Sequence, residues 1–168
     1  MMEHLYAPWR NAYVQEQVHG KQETTTAQEC IFCECAKQSD DDCYILYRAK
    51  AWFVILNRFP YNAGHLLIVS YNHTSTLTSM SKEDRYELSD LVQMCTEVLH
   101  KELAPQGINI GMNIGRASGA GIPSHIHQHV LPRWLGDTNF LPVLAETKHI
   151  SCDLNGMYKK LKESFSRL

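Results

Sequence analysis

Apolar residues recur along this chain in two different periods. Ala51 to Asn57 (AWFVILN) and His65 to Ser70 (HLLIVS) are nearly continuous apolar runs, and short runs of that kind bounded by turn formers predict buried strands. Arg58-Phe59-Pro60-Tyr61-Asn62-Ala63-Gly64 lies between them and has the proline, asparagine and glycine of a connecting loop. A different pattern opens at Ser81-Lys82-Glu83-Asp84, where a serine stands three residues before an acid. Leu88, Leu91, Val92, Cys95, Val98, Leu99 and Leu103 then recur at three- and four-residue steps, predicting a long helix that ends near Ala104-Pro105-Gln106-Gly107. Ile108 to Ile114 (INIGMNI) alternates as a strand, Gly115 to Pro123 breaks it, and His125 to Leu131 reads as the next strand. Asp153 to Phe165 predicts a short terminal helix. The first fifty residues carry neither period and read as irregular, with Ala7-Pro8-Trp9-Arg10 an aromatic-rich anchor and Gln15 to Glu29 a polar loop. Strands that do not alternate regularly with helices predict an α+β domain with a mainly antiparallel sheet.

His125-Ile126-His127-Gln128-His129 is the candidate for chemistry. In an extended segment these three imidazoles share one face, and Ile126, Gln128 and Val130 the other. Six ring nitrogens are difficult to satisfy in a core, whereas a phosphate, a metal or a proton-transfer step uses them directly; the bland alternative is a polar, solvated strand. Just upstream, Gly111-Met112-Asn113-Ile114-Gly115-Arg116-Ala117-Ser118-Gly119-Ala120-Gly121 carries glycines that let backbone N–H groups approach an anion, with Asn113, Arg116 and Ser118 as added donors. A plain tight turn is the alternative. The segment is neither a P-loop nor a dinucleotide fingerprint, since no Gly-Lys-Ser/Thr and no helix pattern follows.

Six cysteines stand at 30, 33, 35, 43, 95 and 152. Cys30-Ile31-Phe32-Cys33 has the spacing with which two thiolates reach one tetrahedral ion, and His73 and one histidine of the triple are candidates to complete it, with Cys35 a rival. A redox reading of the pair would want a strand before it and a helix after, and the polar loop upstream of Cys30 provides no such frame. Cys43, Cys95 and Cys152 read as apolar fillers. His65 is balanced between ligand contact and packing, and His4, His19, His100 and His149 read as surface residues. Trp52 and Phe53 are candidates for lining a ligand pocket or for the core.

Charge narrows the partners. With 16 basic and 18 acidic side chains among 168 residues and no dense basic tract, no nucleic acid or membrane surface is expected, so an anionic ligand must be held locally. The start lacks a basic segment followed by an apolar run, and no stretch approaches a membrane span, so a cytoplasmic protein is expected.

His125 to Leu131 matches the pattern histidine, apolar, histidine, apolar, histidine, apolar, apolar, except for Gln128. With Asn57-Arg58, Pro60, Gly64-His65-Leu66-Leu67-Ile68-Val69, Asn113, Gly115 and Pro132-Arg133, it resembles the histidine triad (HIT) nucleotide hydrolases and transferases. Leu5-Tyr6-Ala7-Pro8-Trp9-Arg10 and Arg133 to Phe140 look like a bacterial branch that includes diadenosine tetraphosphate phosphorylases. The resemblance implies a single HIT-like domain over 1–168, with 1–29 an extended arm and loop. It also implies a sheet of about five strands, one long helix, a short C-terminal helix, and a homodimer whose sheets join. His127 would be the nucleophile that forms a nucleotidyl-histidine intermediate. His129 would act at the phosphoryl oxygens or leaving group; transferases of the superfamily usually carry glutamine there, so His129 is compatible with hydrolysis. Asn57 would contact ribose, Asn113, Gly119, Ala120 and Gly121 would hold phosphate, and Trp134 would reach the nucleotide or cover the site. Zinc-bearing relatives imply a structural zinc on Cys30, Cys33, His73 and His125, and no organic cofactor is expected. Many relatives carry glutamine and then serine or threonine where this chain has Ala120 and Gly121, which suggests room for inorganic phosphate as the second-step acceptor. The expected substrate is an adenine-containing dinucleoside polyphosphate. Adenosine phosphoramidate or adenylylsulfate cleavage, a nucleotide-binding regulatory protein with little turnover, and a zinc-dependent redox module are the other readings.

Overall fold

A computed structural model describes residues 26–150 and 152–168. The anchor at Leu5 to Arg10 and most of the polar arm therefore lie outside the described residues. Five strands form one antiparallel sheet: β1 (Ile45–Arg48), β2 (Trp52–Leu56), β3 (Leu66–Ser70), β4 (Gly107–Met112) and β5 (His127–Arg133), in the order β1-β2-β3-β5-β4. Four α-helices accompany it among the described residues: α1 (Ile31–Cys35), α2 (Lys82–Leu103), α3 (Leu141–Ala145) and α4 (Leu154–Phe165). The α+β fold expected from the pattern is present.

β2 and β3 are buried throughout because both faces of the sheet are covered. On one face Leu46, Trp52, Val54, Leu56, Leu66, Ile68, Ile126 and Val130 pack against Leu88, Leu91, Cys95, Val98 and Leu99 of α2 and Tyr158, Leu161 and Phe165 of α4. On the other, Ile45, Phe53, Ile55, Leu67 and Val69 meet Cys30, Phe32 and Cys35. Each of these large side chains contributes about 1.5–3 kcal/mol by leaving water. Trp52 and Phe53 are thus core residues, the indole N–H donating to the Asp84 carbonyl at 2.8 Å.

α2 begins where the serine-to-acid spacing predicts: Ser81 Oγ accepts the Asp84 N–H at 3.0 Å. It ends at Ala104 in the left-handed region (φ 44), directly before Pro105, which cannot continue the ladder. The Glu87 carboxylate accepts the N–H groups of Lys50 and Ala51, tying this helix to the β1–β2 turn. Asp153 caps α4 through the N–H groups of Asn155 and Gly156.

Two expectations need correction. The first fifty residues are not irregular throughout, because Ile45–Arg48 adds an edge strand next to β2, with a bulge between Ile45 and Tyr47. A four-residue strand is too short to show a period in sequence. A one-turn helix, α1, also interrupts that stretch, starting directly after Cys30 and containing Cys33. The histidine strand starts at His127, because His125 sits in the preceding turn, its N–H donating to the Ile122 carbonyl. No helix among the described residues is long and apolar enough to cross a membrane.

Candidate active site and metal cluster

β5 lies between β3 and β4, with His127 opposite Val69, and His129 opposite Leu67 and Gly111. This register turns both imidazoles toward the face that carries α1, where they border a cavity of about 530 Å³. Its apolar end is lined by Ile31, Phe32, Ile55 and Leu67, and its rim by Asn57, Arg58, Phe59, Tyr61 and Gly121.

Hydrogen bonds assign a tautomer to each ring. His127 Nδ1 lies 2.8 Å from the His125 carbonyl, which can only accept, so Nδ1 holds the proton and Nε2 keeps its lone pair. His65 Nδ1 receives the Tyr61 N–H at 3.1 Å and the Asn57 side-chain amide at 3.1 Å, so it is the acceptor of its ring. The Asn57 orientation is fixed in turn, since its Oδ1 accepts the Phe59 N–H at 3.0 Å. His65 Nε2 therefore carries hydrogen and donates to His129 Nδ1 at 2.9 Å. The remaining proton of His129 is then on Nε2, a buried atom with no hydrogen-bond partner among the described residues. One cavity thus holds a basic nitrogen on His127 and an N–H donor on His129, with ring centroids 5.0 Å apart.

Burial keeps this set neutral. Desolvation, with the neighbouring His129 and His127, pushes the His65 imidazole down to about 3, and desolvation, with His127, pushes His129 down to about 4. His127 is lowered by the same burial, partly offset by its bond to the His125 carbonyl.

The four residues proposed for a metal converge. One ligand atom from each of Cys30, Cys33, His73 and His125 lies within 4.8 Å of the others. Cys30 Sγ is 3.3 Å from His125 Nδ1, Cys33 Sγ 3.3 Å from His73 Nδ1, and Cys33 Sγ 3.5 Å from His125 Nδ1. A tetrahedral ion with bonds of about 2.3 Å to sulfur and about 2.0 Å to nitrogen separates such ligands by roughly 3.5 Å, so the cluster fits one. His125 Nε2 donates to the Ser70 carbonyl at 2.7 Å, which leaves Nδ1 free to ligate and orients the ring. Cys35, the rival ligand, instead directs its thiol toward the Cys43 carbonyl and lines the cavity. α1 joins both sites: Cys30 and Cys33 face the cluster, Ile31 and Phe32 face the cavity, and the Phe32 ring sits 5.4 Å from His125 and 5.1 Å from His127.

The remaining expected residues divide. Asn57 and Gly121 border the cavity, and Asn57 also holds His65. Asn113, Gly119 and Ala120 belong to the adjoining loop, in which Ala120 is buried and Gly119 takes a left-handed φ of 81, but they do not line the cavity. Trp134 borders a separate polar hollow with Asn62 and Asp137. Asp137 there accepts from Arg133, Asn62 and the Trp134 N–H, tying the end of β5 to the loop before β3. His65 and Tyr61 are what the sequence reading undervalued. The sequence leaves His65 balanced between ligand contact and packing, and Tyr61 acts through its backbone N–H, which no residue type reveals.

Two outcomes follow. Titrating metal-stripped protein with Zn²⁺ should bind one ion per described cluster and raise Tm by more than about 5 °C; an unchanged Tm would reduce the cluster to a hydrogen-bonded one. In an unfolded chain His65 and His129 take up protons near 6.5, but in the folded chain near 3 and 4. Between about pH 6.5 and 4 the unfolded chain therefore binds protons that the folded one refuses, and stability is lost as pH falls through that window. Ring-proton NMR should find both imidazoles unprotonated at pH 5.5, and a midpoint near 6.5 for either would break the assigned tautomer chain.

The chain is similar to known proteins over most of its length. A family model described as HIT domain matches residues 38–134. The chain is 30% identical over 167 residues to a protein named AP-4-A phosphorylase from Mycobacterium tuberculosis, covering 99% of this chain and 86% of that one. It is 28% identical over 104 residues to an adenosine 5'-monophosphoramidase of Schizosaccharomyces pombe, covering 62% of this chain and 74% of that one. The crystal structure of a Zn-bound histidine triad family protein from Mycobacterium smegmatis superposes with a TM-score of 0.67 at 24% identity, over 84% of this chain and 96% of that one. Three histidines on and beside β5, an Asn-Arg turn before β3 and a matched domain model lead to one assignment: the chain belongs to the histidine triad (HIT) family.

Proposed function

We propose that this enzyme cleaves a phosphoanhydride of a dinucleoside polyphosphate of the diadenosine tetraphosphate type, through a nucleotidyl intermediate on His127. The observation that carries the reading is the convergence of the His127 Nε2 lone pair and the His129 Nε2–H on one cavity. An apolar slot formed by Ile31, Phe32, Ile55 and Leu67 receives the adenosine, and Asn57 at its rim keeps a second lone pair on Oδ1 for a ribose hydroxyl.

The neutral His127 Nε2 attacks the α-phosphorus, and the bond from that phosphorus to the bridging oxygen breaks. Positive charge that develops on the ring is stabilised by the His125 carbonyl bonded to Nδ1–H. His129 Nε2–H meets the negative charge on the departing polyphosphate, and His65 holds that proton in place from the other side of the ring. An acceptor oxygen then attacks the phosphorus and breaks the P–N bond. Inorganic phosphate is the acceptor we favour. Resemblance over nearly the whole chain to a protein named AP-4-A phosphorylase supports it, as do the glycines at 115, 119 and 121 beside the cavity. With Asn113, Gly119 and Ala120, they form the loop assigned to the phosphates. Trp134 is assigned to the nucleotide side of the β5 exit.

Zinc is the ion that two thiolates and two imidazoles suit best, and a closed set of four ligands leaves no open position for a metal-bound water. Its role is to hold α1 against β5, not to take part in bond-making. A homodimer through β4 is supported by that strand's place at the edge of the sheet among the described residues, where Ile110 is 51% exposed. Six unpaired thiols suit a reducing, cytoplasmic setting.

Chromatography of products from diadenosine tetraphosphate tests the reading. ATP plus ADP appearing only with inorganic phosphate is expected. ATP plus AMP without phosphate would make water the acceptor, and turnover confined to adenosine phosphoramidate would favour the activity for which the Schizosaccharomyces pombe relative is named. His127→Ala should abolish turnover. His65→Leu should lower kcat by roughly 10²-fold with KM little changed, because His129 loses the partner that fixes its tautomer; an unaltered kcat would remove His65 from the site.

A further inference from the structure

We propose that Phe59 is the stacking platform for the second base, the one on the nucleotide that departs; this rests on the dinucleotide reading above. Phe59 is 77% exposed, the most exposed aromatic among the described residues, and it borders the same cavity as His127 and His129. A large apolar ring left in water is unremarkable on a loose loop, but this one is on a turn pinned at several points. Its own N–H is bonded to Asn57 Oδ1 at 3.0 Å, the Tyr61 N–H to His65 Nδ1 at 3.1 Å, and the Asn62 side chain to the Pro132 carbonyl at 3.0 Å. The ring is therefore presented in a preset place, and a base that stacks on it does not have to order the turn first.

The position relative to the chemistry identifies the base. The first adenosine fills the apolar slot under α1, so its own base is already enclosed. The turn that carries Phe59 lies on the side of His129: the Tyr61 ring packs nearly parallel to the His129 ring, at 5.8 Å and 18°. His129 is the donor to the departing polyphosphate, so a chain of phosphates leaving its N–H runs along this turn. Arg58 beside Phe59 donates to the Asp42 carbonyl at 3.1 Å and lies over the Tyr44 ring, forms no ion pair among the described residues, and favours the polyphosphate between the two bases. An aromatic face then offers any second base a sequence-tolerant contact.

The test measures binding in the His127→Ala background, where no ligand is turned over. Calorimetric titrations with diadenosine tetraphosphate and with adenosine 5'-tetraphosphate differ by one adenosine at nearly the same phosphate content. The dinucleotide should bind about tenfold more tightly. Adding Phe59→Ala should erase that preference and leave the mononucleotide affinity within twofold, whereas Phe59→Trp should retain it. Equal binding of both ligands before Phe59 is changed, equal weakening of both by Phe59→Ala, or a preference that survives Phe59→Ala would each overturn the proposal. Circular dichroism of the alanine variant checks that this exposed substitution leaves the fold intact. Failure of the unaltered enzyme to cleave diadenosine tetraphosphate would sink the proposed reaction while leaving this binding comparison to stand or fall by itself.

Discussion

A neutral imidazole has one donor and one acceptor, and naming the partner of one nitrogen decides what the other can do. In this chain that rule passes through three rings. The His125 carbonyl accepts the hydrogen bond of His127 Nδ1–H, while the Tyr61 N–H and the Asn57 amide claim the lone pair of His65, which obliges His129 to present its own N–H. Burial enforces the rule, since a second N–H proton on any of these rings would place a charge in a site stripped of water. Without it, the same histidines at the same positions would exchange tautomers and have no fixed polarity.

The sheet makes that arrangement possible. β5 is flanked on both sides, so its register is set by β3 and β4 together, and a slip by one residue would turn His127 and His129 toward α2 and bring Gln128 to the cavity. The apolar partners Ile126 and Val130 oppose such a slip, because both are buried against the helix face. Hydrophobic packing on one side of β5 thereby holds polar chemistry on the other.

α1 links metal and cavity at little cost in chain length. In one turn it turns two thiols toward His73 and His125, and two apolar side chains toward the slot. The metal cluster and His127 are also joined through His125, whose ring belongs to the cluster and whose carbonyl is bonded to His127 Nδ1. An ion held there would position the backbone atom that fixes the tautomer of His127.

The pattern of apolar residues was enough to read the long helix from Ser81 to Leu103, the strands around 52–56 and 66–70, and the α+β class, because those elements bury enough surface to mark the chain with a period. Spacing also identified Cys30 and Cys33 as a pair, and alternation placed His127 and His129 on one face. What only the tertiary structure decided concerns elements too short to have a period and bonds made by backbone atoms. β1 and α1 span a few residues each and are stabilised by neighbours distant in sequence. The union of Cys30 and Cys33 with His73 and His125 spans some 95 residues of chain. The part played by His65 depends on a backbone N–H, a side-chain amide and a strand register, none of which has a signature in the identity of residue 65, since a hydrogen bond to the main chain is set by geometry and not by residue type.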